Sequence, residues 1–323
     1  MTPYPSKIKE RGAVLLTTML LMTVMAAITV AIMDDIRLSI KRTMSIQAAE
    51  QLDWYMRGGE DFAGTWLQTN LTGERQAVLA TYINAKQEIT LPLDEGVLTA
   101  QLGDARNCYN LNQLAAPKTA GPERERFTRL LRFLEFDNIQ AEIIAGSVQD
   151  WVDSNTAPTQ GGAEDLYYTN LVPPYHPANT MMVDVSELRA VQGVDEEAYQ
   201  RLLPFVCAGQ DDKAGKINLN TLSDQQAPLL ALIFGSDEGL RAAQAVIAQR
   251  PELGYEDIET VWAIEAVEDL ELKGVGKDMV SLITDQIYVD IRVTSGGQTR
   301  TQRVLFATGG GAGAELISRR PIP

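Results

Sequence analysis

An uncharged run from Ala13 to Met33 constrains this chain of 323 residues more than any other feature. As an α-helix its 21 residues rise about 1.5 Å each, roughly 31 Å in all, enough to cross the hydrocarbon of a bilayer. Lys7, Lys9, Glu10 and Arg11 precede the run, and Asp34, Asp35 and Arg37 follow it. The basic flank is expected to stay cytoplasmic, which sends everything after the span outward. A cleaved secretory signal has an apolar core of about 7–15 residues and then a small-x-small site; this run is longer, with no clear break before the charges. A plain single-span anchor fits the length. Near-helical spacing then continues through Ile36, Ile40, Met44, Ala48, Leu52, Met56, Phe62 and Trp66. A helix from Ala13 to about Leu67 would be roughly 80 Å long. Taken alone, that stripe is also what a core-facing helix carries.

The remaining length suffices for about two domains with cores of their own. Lys plus Arg number 28 and Asp plus Glu 43, a net charge of −15, which repels nucleic acid because affinity for phosphate rests on Lys and Arg. His176 is the single histidine, so multi-histidine zinc or iron centres are excluded. A Ser-His-Asp device would have to use His176, crowded by Tyr175 and Pro177 in a proline-rich loop.

Cys108 and Cys207 both fall on the outward side, and an even count in an oxidising compartment favours a disulfide over two buried thiols. A weak internal repeat frames them. Asn110-Leu111-Asn112 and Asn218-Leu219-Asn220 each precede a helical pattern, where an asparagine cap is expected. Two related helical units are therefore expected between 109 and 283. Strand alternation is confined to Gly96–Leu102, Ile287–Val293 and Thr301–Ala307, the last two joined by Ser295-Gly296-Gly297-Gln298 as a hairpin. The first strand can pair with that hairpin only if the middle of the chain is an insertion. Residues 309–323, rich in glycine and proline, read as a loose tail.

Three segments are candidates for chemistry. Asp150 and Asp153 share a face at the end of a predicted helix, and Asn155 with Glu164 and Asp165 sits on a glycine-rich loop able to fold back. Hard oxygen donors from one short segment suit Ca²⁺, although the spacing is not that of an EF-hand; a solvated acidic loop is the alternative. The stretch from Leu270 to Lys277 resembles a helix-hairpin-helix turn, but Glu265, Glu268, Asp269 and Glu271 surround it, which favours simple helix packing. The loop Tyr167–Pro177 is either a recognition surface or the cover of a core.

The leader Lys9-Glu10-Arg11-Gly12 running straight into Ala13 resembles the class III leader of type IV pilins and type II secretion pseudopilins. The resemblance implies cleavage between Gly12 and Ala13 by the prepilin peptidase, then methylation of Ala13. It also implies an N-terminal helix that serves first as anchor and later as the packing spine of a filament. The fifth mature position, usually Glu in that family, is Thr17 here. A charge near mid-bilayer costs roughly 2.5 kcal/mol or more and persists only where a partner needs it. Its absence suits a subunit with nothing ahead of it, and resembles the minor pseudopilins of the type II secretion protein K family. That family implies an α+β fold, a long spine helix and a small antiparallel sheet with a large inserted helical domain. It also implies structural calcium, one or two ions, in the insertion.

The expected organisation is a leader (1–12), a transmembrane part (13–33), and an outer helix with the first strand (34–108). A helical insertion in two halves (109–215 and 216–283), a hairpin (284–308) and the tail (309–323) follow. The implied role is to cap the pseudopilus tip and start its assembly, without catalysis. Implied partners are minor pseudopilins I, J and H, major pseudopilin G, the peptidase and the inner-membrane platform, with secreted cargo or the outer-membrane channel beyond; nucleic acid is not among them. The bulk would be periplasmic. Competing classes are a membrane-anchored, calcium-dependent periplasmic enzyme and a minor type IV pilin for DNA uptake.

Overall fold

A single helix, α1 (Lys9–Asn70, 62 residues), dominates the computed structural model and is about 93 Å long. The structure describes residues 9–70, 75–116, 120–235, 238–270, 272, 276–308 and 313–322; most of the leader lies outside these. The apolar run packs against none of the described residues. Burial begins at Leu52: Leu52, Met56, Gly59, Ala63 and Leu67 recur at helical spacing and face a sheet. The stripe seen in the sequence therefore divides, since Ile36, Ile40 and Met44 stay exposed.

After α2 (Arg75–Asn84), the chain makes β1 (Glu88–Leu93) and β2 (Gly96–Asp104) and then leaves the sheet. The first inserted unit comprises β3 (Tyr109–Asn110), α3 (Ala120–Phe133), α4 (Asn138–Val152), α5 (Asp165–Tyr168), α6 (Glu196–Leu202) and β4 (Val206–Cys207). The second comprises β5 (Ile217–Asn218), α7 (Ala227–Phe234), α8 (Gly239–Ala248), α9 (Ile258–Trp262), α10 (Glu265–Glu268) and β6 (Val280–Ser281). The chain re-enters the sheet with β7 (Gln286–Ser295), β8 (Gln298–Ala307) and β9 (Glu315–Pro321). The sheet order is β1-β2-β7-β8-β9, antiparallel throughout. Leu98, Ala100 and Leu102 of β2 lie opposite Val293, Ile291 and Val289 of β7, which buries one alternating face under α1. Gly296 and Gly297 take φ of 57° and 77°, the pair of left-handed residues that a two-residue hairpin turn demands.

The C-terminus corrects the sequence reading. Residues 315–321 form an edge strand on β8 instead of a loose tail. Glu-Leu-Ile-Ser-Arg-Arg-Pro carries little strand alternation. Its order comes from ladder bonds to β8 and from Arg319 with Glu60 (3.4 Å) and Arg320 with Asp184, partners far away in sequence.

The repeat is structural. β3 pairs in parallel with β4, and β5 with β6. Asn110 does cap, accepting from the backbone N–H of Asn112 (3.1 Å), and Asn218 accepts likewise from Asn220 (3.0 Å). The second asparagine of each triplet does something else. The Asn112 amide exchanges hydrogen bonds with both backbone groups of Met182 and donates to the Gly209 carbonyl (2.7 Å). The Asn220 amide does the same with Tyr255 and donates to the Leu282 carbonyl (3.0 Å). A side-chain amide is donor and acceptor at once, so it can stand in for a missing strand neighbour. Cys108 and Cys207 are joined, with Cα atoms 5.7 Å apart, closing the first unit at its neck.

Candidate functional site

Asp137 caps the start of α4, accepting from the N–H groups of Ile139 and Gln140. Ala141, Ile144, Ala145 and Val148 bury one face of that helix. Asp150 and Asp153 lie on the other side of the helix, the side of Gly146, and both are buried because the loop through Thr159–Gly162 folds back over it. Asp150 accepts from the Thr159 N–H through both oxygens (3.0 and 3.1 Å). Asp153 accepts from the Asn155 N–H (3.0 Å), and the Asn155 side chain accepts from the Ala157 N–H (2.8 Å). These successive turns fold the loop back as its glycines suggested. The fit is close: a Cβ on Gly162 would lie 2.0 Å from Asp150 Oδ2, and one on Gly146 would lie 2.8 Å from the Gly162 nitrogen.

Glu164 is the outlier. It is 5% exposed, and among the described residues neither carboxylate oxygen has a hydrogen-bond partner. Burial, followed by the charges of Asp150, Asp153 and Asp165, pushes its carboxyl up to about 7. Burial also raises Asp150 and Asp153, with the Asp153 charge adding at Asp150, where Arg124 offsets part of the effect. Gln149, one turn before Asp153, has a further buried oxygen without a donor among the described residues. Among the described residues, acceptors in this segment thus outnumber donors, with the Gln149 oxygen and both Glu164 oxygens left over. A proton or a hard cation would relieve it, and the donor chemistry is the oxygen set that Ca²⁺ takes. No group of three or more acidic, histidine or cysteine side chains is arranged as a metal cage among the described residues.

Asp165 stands apart from the other acids. Half exposed, it meets His176 Nδ1 at 2.8 Å, so the single histidine ties the acidic segment to the proline-rich loop. Tyr168 is fully buried and packs against Trp151, Tyr167 and Tyr175, while Trp151 Nε1 donates to Glu187 (3.2 Å). This loop therefore covers a core along its inner side. An open cleft of about 320 Å³ remains, lined by Tyr167, Leu171, Tyr175, Arg189, Val191 and Val194. Sequence reasoning missed Thr159 and Gly146; a glycine in mid-helix was the available signal for the second. Of the hairpin-like turn at 270–277, residue 271 and residues 273–275 lie outside the described residues; Lys277 packs over the Trp262 ring (5.7 Å). At the other end of the molecule, the Thr17 hydroxyl donates to the Val14 carbonyl of its own helix (2.9 Å) and needs no outside partner.

Residues 107–211 and 217–282 match two family models, both described as type II secretion system (T2SS), protein K. A type II secretion system protein K from Pectobacterium carotovorum is 32% identical over 310 residues, spanning 94% of each chain. The chain belongs to the type II secretion system protein K family. The protein K of Aeromonas hydrophila is 32% identical over 289 residues, covering 83% of this chain and 87% of the relative. Among solved structures, the crystal structure of the GspK-GspI-GspJ complex from enterotoxigenic Escherichia coli contains a similar chain. The TM-score is 0.76 at 28% identity, covering 87% of this chain and 99% of the other. Protein K is a component of the secretion machinery. The two family models fall on the two inserted units, with their boundary at the linker between β4 and β5.

Proposed function

We propose that this chain is the minor pseudopilin that caps the tip of the type II secretion pseudopilus and starts its assembly. The observation that carries the reading is the whole-fold likeness to GspK in a complex with GspI and GspJ. Pseudopilins I and J are accordingly the first partners, with H and the major pseudopilin G below them. The Ala13–Met33 run anchors the precursor once in the inner membrane, with Lys7, Lys9 and Arg11 inside and the bulk in the periplasm. Prepilin peptidase cuts after Gly12, Ala13 is methylated, and the secretion platform lifts the helix out of lipid. The exported cargo and the outer-membrane channel lie ahead of the tip. Thr17, uncharged and bonded to its own helix, suits a subunit with no neighbour above. Calcium is assigned a structural part: Asp150, Asp153 and Glu164 hold it, with Asn155 and Asp165 flanking, and it fixes the loop that leads to the Tyr167–Pro177 cover. No catalytic part is assigned.

The decisive experiment expresses the precursor with and without the peptidase, then determines the N-terminus by mass spectrometry. A methylated Ala13 that appears with the peptidase alone is expected, and an intact Met1 in both cells refutes the pilin reading. Crosslinks from a probe at Thr17 to G at mid-fibre, instead of to I or J, refute the tip assignment.

A further inference from the structure

The two hydrophobic cores of this protein do not merge. One runs through the insertion from Tyr109 to Val280, and the other joins α1 to the sheet; among the described residues none belongs to both. Polar groups therefore hold the two bodies together: Arg320 of β9 with Asp184, the Asn84 amide donating to the Asn220 carbonyl (2.8 Å), and the cluster at the crossing. The Asp104 carboxylate stands at their centre, at the end of β2 where the chain leaves the sheet. Its Oδ1 accepts from the Arg106 N–H (2.9 Å) and from the Thr284 hydroxyl (2.9 Å), just before the chain re-enters through β7. Its Oδ2 accepts from the Asn218 amide (2.9 Å) and the Thr221 hydroxyl (2.7 Å) of the second inserted unit. One carboxylate thus holds the outgoing strand, the returning strand and the insertion. Neighbours reinforce the clasp. Asn107 accepts from the Asn218 N–H (2.8 Å) and donates to the Thr221 hydroxyl (3.0 Å), and Arg106 meets Asp285 with two nitrogens (2.7 and 3.1 Å).

We propose that Asp104 is the joint that fixes the helical insertion to the sheet, so that α1 and the insertion move as one rigid piece. A carboxylate suits the task because it accepts from several directions and donates to none. Its four donors come from four separate residues, and loss of the acceptor strips the Arg106 N–H, the Asn218 amide and the Thr221 hydroxyl of this partner at once, while the Thr284 hydroxyl turns to the Gln286 carbonyl (2.8 Å).

The test uses the full chain in detergent micelles with spin labels on Gln298→Cys and Glu252→Cys, exposed positions on the two bodies. Both native cysteines are in the disulfide, so labelling is selective. Electron–electron distance measurement should give one narrow distribution in the parent. Asp104→Ala should widen it at least twofold and speed tryptic cleavage after Arg106 at least tenfold, with helical circular dichroism unchanged. Should Asp104→Ala fail to fold, Thr221→Val decides, since it removes one donor and leaves the other three; a smaller widening is expected. A distribution as narrow as the parent's in whichever variant folds, even with a lower melting temperature, overturns the proposal and leaves Asp104 a stabilising residue only.

Discussion

Replacing Glu164 by Gln tests the acidic segment most sharply, because the size of the effect changes with pH and its sign with metal. Glu164 is buried, lacks hydrogen-bond donors among the described residues, and is pushed from 4.5 up to about 7. A raised carboxyl means that the folded state holds its proton more tightly than the unfolded chain does. The destabilisation is absent below about pH 4.5, grows as pH rises, and is complete above about pH 7. At about 1.4 kcal/mol per pH unit, the full penalty is roughly 3 kcal/mol. Gln has the same shape and does not ionise. With metal chelated at pH 8, Glu164→Gln should therefore melt higher than the parent, by about 6–12 °C at 2–4 °C per kcal/mol. At pH 4.5 the two should nearly coincide. Calcium reverses the order: at a thousand times its Kd it stabilises the parent by about 4.1 kcal/mol, more than the penalty, and the variant, lacking one charged oxygen donor, gains far less. The assay is calorimetry or fluorescence melting of the exported fragment from residue 46 onward, with EDTA or Ca²⁺. A variant that melts at or below the parent in EDTA at pH 8 refutes the argument that this carboxylate is uncompensated. Equal calcium shifts in the two proteins refute its part in holding the ion.

Further expectations concern the scaffold. Cys108→Ser with Cys207→Ser opens a loop with a sequence separation of 99 and should cost about 4–5 kcal/mol in the chain-entropy model, read by urea unfolding against the oxidised, disulfide-intact parent. Gly162→Ala places a methyl 2.0 Å from Asp150 Oδ2 and should destabilise by about 1–3 kcal/mol while weakening the calcium shift, both visible in melting curves. Asn112→Ala and Asn220→Ala strip equivalent backbone groups of their partners, so each should cost about 2–4 kcal/mol and the two should match within about 1 kcal/mol in denaturant titrations.

Elements whose signal is local were legible in the sequence. Length and the absence of charge define the exposed part of α1; alternation defines β2, β7 and β8; two adjacent glycines define the hairpin. The Asn-Leu-Asn triplets marked the repeat, but their chemistry was misjudged in part. A cap is a contact within a few residues, whereas Asn112 and Asn220 reach Met182 and Tyr255. The edge strand β9 was missed for the same reason. Nothing within Glu315–Pro321 demands a strand, and its order is conferred by β8, Glu60 and Asp184, which the chain meets only when folded.

The acidic segment shows where local reading stops. Composition and helical spacing brought Asp150, Asp153 and Glu164 together as oxygen donors, and an acidic loop free in solvent would have the same letters. What separates the two is burial. That depends on Gly146 and Gly162 letting the loop lie against α4, on Thr159 meeting Asp150, and on the Trp151–Tyr168–Tyr175 cluster alongside. A solvated loop would leave its carboxylates near their ordinary values and lose nothing to pH. A loop pressed onto a helix removes water from Glu164 and sets it beside like charges, so something positive has to replace that water. The cost then falls on the empty site and not on the bound one, which makes the chelated protein at high pH the state in which the reasoning is most exposed to refutation.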